Sequence, residues 1–335
     1  MYRPVTIKDI AIALNLSPST VSRALRDGYE ISTATKKLVL DYASKVNYQL
    51  NPIALSLKKG RSYSIGIVVP EVANSFFSQA IAGIESIAYE RGYHTIITQT
   101  HDSPEREFMN TSHLAKRSVD GLLISMSSGT TDYTFLKKLQ DEGLPIVFFD
   151  RVISEPETFK VTSDNFGGAF KATESLIRSG SKKIAFLANA PHLSITAERL
   201  SGYRKALKDH NILFRPELVK NCMSGGNDHQ EVEDVVNELF TMSEKPDAIF
   251  IGSDRISISC IRALNKLDFN TRKIRIAGFS NSDVIDLLYP SIFYVKQKSF
   301  EMGRVAIEML LRLIEGKHPP TEFEKIVLET ELHIS

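Results

Sequence analysis

The amino-acid sequence predicts an α/β protein: a small all-α head with a hinge helix, followed by two doubly wound lobes built on parallel sheets. A chain of 335 residues is too long for one core and suggests about two or three domains. The first sixty residues contain short capped helical segments, whereas from residue 63 onward short apolar runs alternate with amphipathic helical segments. We therefore expect a helix-turn-helix domain at 1–50, a hinge helix and linker at 51–62, and a two-lobed domain at 63–335.

Charge separates the head from the body. Residues 1–61 hold ten Lys or Arg against four Asp or Glu, a net charge of +6, whereas the rest of the chain holds 31 against 36, a net charge of −5. A basic head on a mildly acidic body is the asymmetry expected when only one part of a protein approaches phosphate groups.

Composition narrows the class of protein. Cys222 and Cys260 lie 38 positions apart and outside any metal-binding spacing, which is typical of reduced thiols. The eight histidines are scattered, so the sequence predicts neither a metal site nor a cofactor. No segment reaches the roughly 18 apolar residues of a membrane span, and the first residues lack the apolar run of a signal peptide. We expect a soluble cytoplasmic protein with no membrane partner.

Two short helices open the head. Thr6 and Asp9 form the pattern of a capping box at the start of the first helix. Ser17 is a good N-cap and Pro18 fits the first position of the second helix. Two short helices joined by a tight turn make a helix-turn-helix unit, which a third helix from about Ser32 would close.

The second helix carries side chains suited to DNA. Its outward positions are short hydrogen-bonding groups and one guanidinium: Ser19, Thr20, Ser22 and Arg23. Such groups contact phosphates and base edges in the major groove. The alternative is an ordinary helical surface with well-capped ends, and this run alone does not decide between the two.

A further short helix is predicted in the hinge. Asn51 is a suitable N-cap and Gly60 is a suitable C-terminal glycine. About eight helical residues are too few to be stable alone in water, so we expect this helix to order only with DNA and a partner copy. Leu57, beside Lys58, is suited to insert between base steps in the minor groove, although a leucine packed against the body is the alternative.

Segments 6–11, 17–25 and 48–58 together carry a specific pattern. At these spacings the pattern resembles the DNA-binding head and hinge of the LacI/GalR family of bacterial repressors, and the resemblance continues through nearly all of the body. It implies that four residues face the major groove, at Pro18, Ser19, Thr20 and Arg23. It also implies that Leu57 intercalates at the operator centre.

The predicted DNA-contacting set combines these arguments. It consists of Thr6, Ser17, Pro18, Ser19, Thr20, Ser22, Arg23, Asn51, Ala54, Leu57 and Lys58. One departure from the family pattern lies in the hinge, where many relatives have arginine and this chain has Leu55. A phosphate contact is therefore weaker at that position, or it falls to the neighbouring basic residues.

Strand and helix patterns alternate through the body. Apolar runs predict strands in two sets, at 64–69, 95–97, 121–125 and 146–149, then at 183–187, 248–251 and 274–278. Helical stretches between them are typical of parallel sheets covered on both faces. The resemblance implies the architecture of type I periplasmic binding proteins, in which the chain crosses between lobes three times. We expect lobe one at about 63–161 and 292–322, and lobe two at about 162–291 and 323–335.

A ligand site is predicted between the lobes, because ligands of open α/β sheets bind beyond the carboxyl ends of the strands. The residues at those places are an apolar pair and several polar or charged side chains, the mixture typical of small-molecule sites. The predicted effector-binding set is Phe76, Phe77, Asp102, Ser125, Arg151, Asp164, Arg199, Asp254, Ser280 and Gln297. The alternatives are simple packing for the phenylalanines and helix capping for the aspartates.

The resemblance adds to this assignment. It implies effector-pocket positions at Phe76, Phe77, Arg199 and Asp254. Ser280 stands where many relatives have an effector-binding aspartate, and Leu193 stands where purine-binding relatives have arginine. Both departures argue against a purine and favour a sugar or a sugar-derived metabolite.

These features distinguish between an enzyme, a solute-binding carrier and a transcriptional regulator. The sequence has no GxSxG, GxxxxGK[ST] or HExxH motif, which argues against an enzyme. A solute-binding carrier would share the body, but it would need export and would have no use for a basic head. The sequence therefore predicts a transcriptional repressor that binds a near-palindromic operator as a homodimer and responds to a metabolite in the crevice. A sugar carrier without DNA function is the alternative.

Overall fold

The chain divides into two compact units, the head Met1–Ser62 and the body Tyr63–Ser335. The structure, a computed structural model, describes residues 5–26, 30–48, 61–154, 157–267, 274–289, 291–316 and 322–334. The hinge helix predicted at 51–60 lies outside the described residues.

Three helices form the described part of the head: α1 (Ile7–Leu14), α2 (Pro18–Ala24) and α3 (Thr33–Lys45). Asn15 ends α1 in the left-handed conformation with a φ of 52°, one of the few non-glycine residues that tolerates it, and so turns the chain towards α2. One small apolar cluster joins the three helices, with its buried members at Ile10, Ala11, Val21, Ala24, Val39 and Ala43. The head therefore has its own core.

The body contains two six-stranded sheets. Sheet one consists of β1 (Ser64–Val69), β2 (His94–Gln99), β3 (Gly121–Ile124), β4 (Ile146–Phe149), β5 (Phe159–Ser163) and β11 (Lys325–Leu328). Sheet two consists of β6 (Ile184–Ala188), β7 (Val219–Asn221), β8 (Ala248–Ile251), β9 (Arg275–Phe279), β10 (Ile292–Gln297) and β12 (Thr330–Ile334). The strand orders are β11-β5-β4-β3-β1-β2 and β12-β10-β9-β8-β6-β7, parallel throughout except for the antiparallel pair of β10 and β12.

Helices cover both faces of each sheet, which confirms the predicted fold class. Lobe one has α4 (Ser75–Glu90), α5 (Pro104–Lys116), α6 (Thr134–Asp141) and α12 (Ser299–Glu315). Lobe two has α7 (Asn165–Arg178), α8 (Ser194–Asp209), α9 (His229–Thr241), α10 (Asp254–Lys266) and α11 (Ile285–Leu288). In β1, Ile65 and Ile67 pack into one core cluster and Val68 packs into another on the opposite face. Strands buried on both faces appear in the sequence as unbroken apolar runs.

Two glycines allow α4 and α12 to approach closely. A Cβ atom added at Gly83 would collide with the carbonyl oxygen of Phe300, and one added at Gly303 would collide with that of Ala80. The reciprocal arrangement seals one face of sheet one with a tightly packed helix pair.

The chain crosses between the lobes at three single residues. Asp164 joins β5 to α7, Lys298 joins β10 to α12, and Glu329 joins β11 to β12. The crossings are neighbours, since the Asp164 N–H donates to the Leu328 carbonyl at 2.8 Å.

The predicted lobe limits are corrected at two strands. Residues 292–297, predicted in lobe one, form β10 and pair with β9 in sheet two, whereas residues 325–328, predicted in lobe two, form β11 and pair with β5 in sheet one. The pairing of β10 follows the tendency of consecutive elements to lie side by side. Its buried side chains Ile292 and Val295 complete the lobe-two cores.

Candidate DNA-contacting helix and effector crevice

Several of the predicted DNA-contacting residues lie at the start of α2. The Ser17 hydroxyl caps the helix by accepting the Thr20 N–H at 3.0 Å. It also lies 2.7 Å from the Ser19 hydroxyl and 2.8 Å from that of Thr20. Pro18 and Ser19 are exposed. The hydroxyls are thus held in one cluster on the outer surface of the head.

Two arginines lie towards the other end of α2. The Arg23 Nη1 donates to Glu30 Oε2 at 2.8 Å, with both side chains at least half exposed, and Arg26 donates to the Ser22 hydroxyl. An exposed ion pair contributes only about 0–1 kcal/mol, so the Arg23 guanidinium can exchange its carboxylate for a phosphate at little cost.

Thr6 has a structural part in the head. Its N–H donates to Asp9 Oδ2 at 2.8 Å and its hydroxyl accepts the Asp9 N–H at 3.3 Å, which completes the predicted capping box. Asn51, Ala54, Leu57 and Lys58 lie outside the described residues and stay predictions.

In the body, Asp102 and Arg151 meet between the ends of β2 and β4. Arg151 Nη1 donates to Asp102 Oδ1 at 2.5 Å, and Asp102 also accepts the Ser128 N–H at 3.0 Å. Burial raises the pKa of Asp102, but the guanidinium and the N–H outweigh it, so the pKa of this carboxyl lies below its ordinary value. The pair is therefore ionised and fixed in position.

Arg199 is buried in lobe two, with 3% of the residue exposed. Its Nε donates to Asn165 Oδ1 at 2.9 Å, its Nη1 donates to the Gly252 carbonyl, and the guanidinium lies 3.8 Å above the ring of Phe279. Burial lowers the pKa of Arg199 to about 10, against the pull of the buried Asp150 carboxyl. Arg199 thus ties α8 to the ends of β8 and β9.

The remaining predicted polar residues lie at two places, the ends of β8 and β9 and the crossings between the lobes. Asp254 accepts a hydrogen bond from Ser280 across the ends of β8 and β9, and burial raises the pKa of Asp254. Gln297 Nε2 donates to the Ser163 hydroxyl at 2.9 Å beside the lobe crossings. Asp164 caps α7 by accepting the Gly167 N–H at 2.8 Å, which is the capping role that the sequence left open for it.

Phe76 and Phe77 do not join the polar groups. Both are buried at the start of α4 and form an edge-to-face pair with ring centroids 5.2 Å apart. Phe77 also packs against Phe149, 6.5 Å away, within the core of lobe one. Packing, the alternative noted from the sequence, is what the structure shows for this pair.

Five buried polar atoms at the carboxyl ends of the strands have no hydrogen-bond partner among the described residues. They are Ser125 Oγ, Arg151 Nε, Asn189 Oδ1, Thr196 Oγ1 and Ser253 Oγ. A buried polar atom without a partner costs about 1–3 kcal/mol, so this group of atoms makes the strand ends the candidate ligand site. Ser125 and Arg151 belong to the predicted effector-binding set, whereas Asn189, Thr196 and Ser253 do not; Asn189 directly follows β6, and Ser253 lies two residues after β8.

A cavity of about 340 Å³ opens between the lobes, and two of its lining residues adjoin this group of atoms: Asp102, which is paired with Arg151, and Ala190, which follows Asn189. His101, Asp102, Ser128 and Gly129 line it from lobe one. Ala190, His192, Met223, Ser224 and Asn227 line it from lobe two. Asn227 Nδ2 donates to Asp102 Oδ2 at 3.3 Å, which connects the two lobes across the cavity.

A second set of contacts joins the lobes on the side of α4. Gln79 Nε2 donates to the Asn281 carbonyl at 3.2 Å, and Asn281 Nδ2 donates to Gln79 Oε1 at 3.1 Å. The Ser299 hydroxyl donates to the same Gln79 oxygen at 2.5 Å. We call this set the Gln79 latch. It holds the lobes in their present orientation.

Two absences apply to the described part of the chain. It contains no group of three or more His, Cys, Asp or Glu side chains placed to hold a metal ion. Nor does any of its helices have the length and apolar character needed to cross a bilayer.

The chain matches two family models. Residues 6–51 match the bacterial regulatory proteins of the lacI family, and residues 65–318 match a periplasmic binding protein domain. Together they cover the head and most of the body.

Full-length relatives agree with these matches. The chain is 30% identical over 336 residues to the HTH-type transcriptional regulator RegA of Clostridium saccharobutylicum, covering 98% of this chain and 97% of the relative. It is 29% identical over 329 residues to the ribose operon repressor of Haemophilus influenzae, covering 97% and 96%. Among solved structures it is similar to a complex of the transcriptional regulator CelR with cellobiose, with a TM-score of 0.72, 26% identity and 99% coverage of both chains.

Proposed function

Since this chain belongs to the lacI family of bacterial regulatory proteins, we propose that it represses transcription from a near-palindromic operator, under the control of a sugar or sugar-derived metabolite. Like its relatives, it is a DNA-binding transcriptional regulator and not an enzyme. The carrier alternative is not favoured, because regulators match the chain along nearly its whole length.

One observation carries the proposal: a helix-turn-helix unit shares a chain with a two-lobed body in which five buried polar atoms of the crevice have no partner among the described residues. The first part fits a duplex and the second part fits a small hydroxylated molecule. Metabolite binding and DNA binding are coupled if the metabolite binds one lobe orientation better than another. The metabolite then changes the fraction of molecules whose heads can bind DNA.

In this proposal the outer surface of α2 enters the major groove. Pro18, Ser19 and Arg23 are its exposed members, while Ser17 and Thr6 hold the helix starts in place. Asn51, Ala54, Leu57 and Lys58 contribute the minor-groove contact predicted from the sequence. The protein acts in the bacterial cytoplasm, where operator DNA lies.

The active form in this proposal is a homodimer with two-fold symmetry, which matches a near-palindromic site. Large apolar side chains exposed on neighbouring elements of lobe one support it: Tyr89 on α4, Ile97 on the edge strand β2, and Phe108 and Met109 on α5. Several large apolar side chains exposed on neighbouring elements are typical of a protein–protein contact.

The test is selection of duplexes from a random-sequence pool. The full chain is expected to enrich near-palindromic sites, whereas a chain that begins at Tyr63 should enrich none and still respond to a metabolite in thermal melts. Enrichment by the shortened chain, or none by the full chain, would contradict the proposal.

A matched pair of variants tests whether the Arg23 side chain contacts the DNA. Arg23→Ala should weaken binding to the selected site by about 1–3 kcal/mol if the guanidinium contacts a base, and Arg91→Ala, an exposed arginine of the body, should leave it unchanged. Equal affinities for the two variants would remove Arg23 from the interface.

A further inference from the structure

The crevice carries information on the charge of its ligand, which deepens the proposed function and rests on the effector site proposed above. We infer that the effector is an uncharged, hydroxyl-rich molecule, a sugar or polyol that carries no phosphate or carboxylate group.

The guanidinium groups of the crevice already have partners. Arg151 is paired with Asp102 at 2.5 Å, and each side chain is only 12–13% exposed. Arg199 is held by Asn165 and by the carbonyl of Gly252. An anionic ligand could accept from the remaining Arg151 Nε–H, but the charge of that guanidinium is already balanced by Asp102, so the ligand would add a buried negative charge with no cation of its own.

Carboxyl groups also outnumber guanidinium groups at the strand ends. Four carboxyl groups lie there, those of Asp102, Asp150, Asp254 and Glu71, with three guanidinium groups, those of Arg151, Arg199 and Arg255, and Arg255 is itself paired with Glu71. Burial raises the pKa of Asp150, although both guanidinium groups act to lower it. Burial likewise raises the pKa of Asp254, whose side chain accepts from the Ser280 hydroxyl. A phosphate placed among these groups would be a further buried negative charge without a spare cation, which is strongly unfavourable.

The unpartnered atoms have the mixed character that a hydroxyl group satisfies. Ser125, Thr196 and Ser253 present hydroxyls, Arg151 presents an N–H donor, and Asn189 presents a carbonyl oxygen that only accepts. A sugar hydroxyl both donates and accepts, so it can bond to all of them. A fully ionised phosphate group only accepts, so it could not bond to the Asn189 oxygen if it were placed against that atom.

The size of the cavity agrees with a small sugar. Its volume of about 340 Å³ lies at the lower end of the range of about 300–1,000 Å³ that small-molecule sites occupy. Its lining mixes polar groups with Ala190, Gly129 and Met223, which suits a ring with hydroxyls on its rim and C–H groups on its faces.

The experiment compares neutral sugars with their own phosphate esters. The probes are glucose and glucose 6-phosphate, ribose and ribose 5-phosphate, and cellobiose and its 6-phosphate. For each probe, the melting temperature of the full chain and its affinity for the selected operator are measured. We expect a neutral sugar to raise the melting temperature and change operator affinity, and its ester to bind at least tenfold more weakly.

Each result has a defined meaning. An ester that binds as tightly as its parent sugar, or more tightly, overturns the inference while it leaves the effector site intact. If no probe of either kind changes the melting temperature or the operator affinity, the effector site on which the inference rests is contradicted instead. Enrichment of operator sites by the full chain still tests the DNA-binding part separately.

A pair of serine variants ties the result to the crevice. Ser253→Ala removes one of the unpartnered hydroxyls and should weaken binding of the neutral sugar about tenfold. Ser181 is the control, because its hydroxyl is also buried and unpartnered among the described residues but lines a separate cavity of about 500 Å³ before the start of β6. Ser181→Ala should leave the sugar affinity unchanged. Equal losses in both variants would show that the sugar does not bind at the strand ends.

Discussion

Arg199 is the residue whose surroundings bear most directly on the stability of the body. It is buried, and it holds Asn165, the Gly252 carbonyl and the ring of Phe279 while it faces the buried carboxyl of Asp150. Removing one member of such a buried charged network leaves the others uncompensated. A role in ligand binding at Arg199 is therefore inseparable from a role in folding.

Arg199→Ala should lower the free energy of unfolding by about 3–5 kcal/mol, the usual effect of breaking a buried charge pair. Urea denaturation of the full chain measures it. The control is Arg204→Ala, on the same helix but exposed, whose guanidinium lies 4.4 Å from the ring centroid of Phe214 and should contribute about 1 kcal/mol or less. Similar values for the two variants would contradict the structural role of Arg199.

Asp102 makes the free energy of unfolding depend on pH in the acid range. Its pKa in the folded protein lies below its value of about 3.9 in an unfolded chain. The ionised carboxyl therefore adds stability above about pH 4, and this contribution disappears as the pH falls through the folded pKa. Between about pH 5 and pH 2, the unfolding free energy of the wild type should fall more steeply than that of Asp102→Asn. Parallel pH profiles would show that Asp102 is not paired in solution.

Single residues of the crevice were predictable to different degrees. Asp102, Ser125 and Arg151 lie at the strand ends, where they are predicted because each follows a strand and the carboxyl ends of parallel strands meet at one edge. The same rule also selected Phe76 and Phe77, which the structure places in the core of lobe one. Position after a strand does not specify the direction of a side chain, and that direction depends on packing between distant segments.

At the scale of elements, the pair of α4 and α12 depends on two glycines. Alanine normally favours a helix over glycine by about 1 kcal/mol. At Gly83, however, an added methyl group meets the backbone of Phe300, and backbone cannot move aside as a flexible side chain can. The close approach of the two helices therefore outweighs the helix propensity of the residue.

Gly83→Ala should destabilise the protein by about 1–3 kcal/mol, the typical cost of overpacking. Ser78→Ala, an exposed position on the same helix, should change stability by less than about 0.5 kcal/mol. Thermal or urea unfolding of both variants gives the comparison. A stabilised Gly83→Ala variant would mean that α4 and α12 are farther apart in solution.

Element type was predicted more accurately than element partner. The helices of the head and the central strands of both sheets follow from caps and apolar runs. The predicted lobe assignment of β10 and β11 was wrong: β10 pairs with β9, the strand that precedes it in the chain, whereas β11 pairs with β5, a strand far earlier in the sequence. Which sheet accepts such a strand is decided by contacts with residues far away in sequence.

At the scale of the whole body, the Gln79 latch bears on the orientation of the lobes. It joins α4 of lobe one to Asn281 of lobe two through two reciprocal hydrogen bonds, and Ser299 supports it. Each such bond contributes about 0.5–1.5 kcal/mol net. The latch is therefore strong enough to shift a two-state equilibrium between lobe orientations.

Gln79→Ala should favour a more open body by about 1–3 kcal/mol, which increases the radius of gyration in small-angle X-ray scattering and weakens the effector by roughly tenfold. Ser86→Ala, whose hydroxyl bonds only within α4 to the Gly83 carbonyl, is the control. An unchanged scattering profile and unchanged affinity in Gln79→Ala would remove the latch from the mechanism.

The three one-residue crossings have a mechanical consequence. They lie side by side at one margin of the body, where β5 and β11 of sheet one meet β10 and β12 of sheet two. The cavity lies past the ends of β2 and β7, at the opposite margin of both sheets. A molecule bound in the cavity contacts both lobes far from the crossings, about which the lobes would rotate. A few hydrogen bonds at this distance therefore have the largest effect on the angle between the lobes. Because each crossing is a single residue, we expect the lobes to move mainly by rotation about this margin, so that an ångström of closure at the far margin corresponds to a small rotation at the axis.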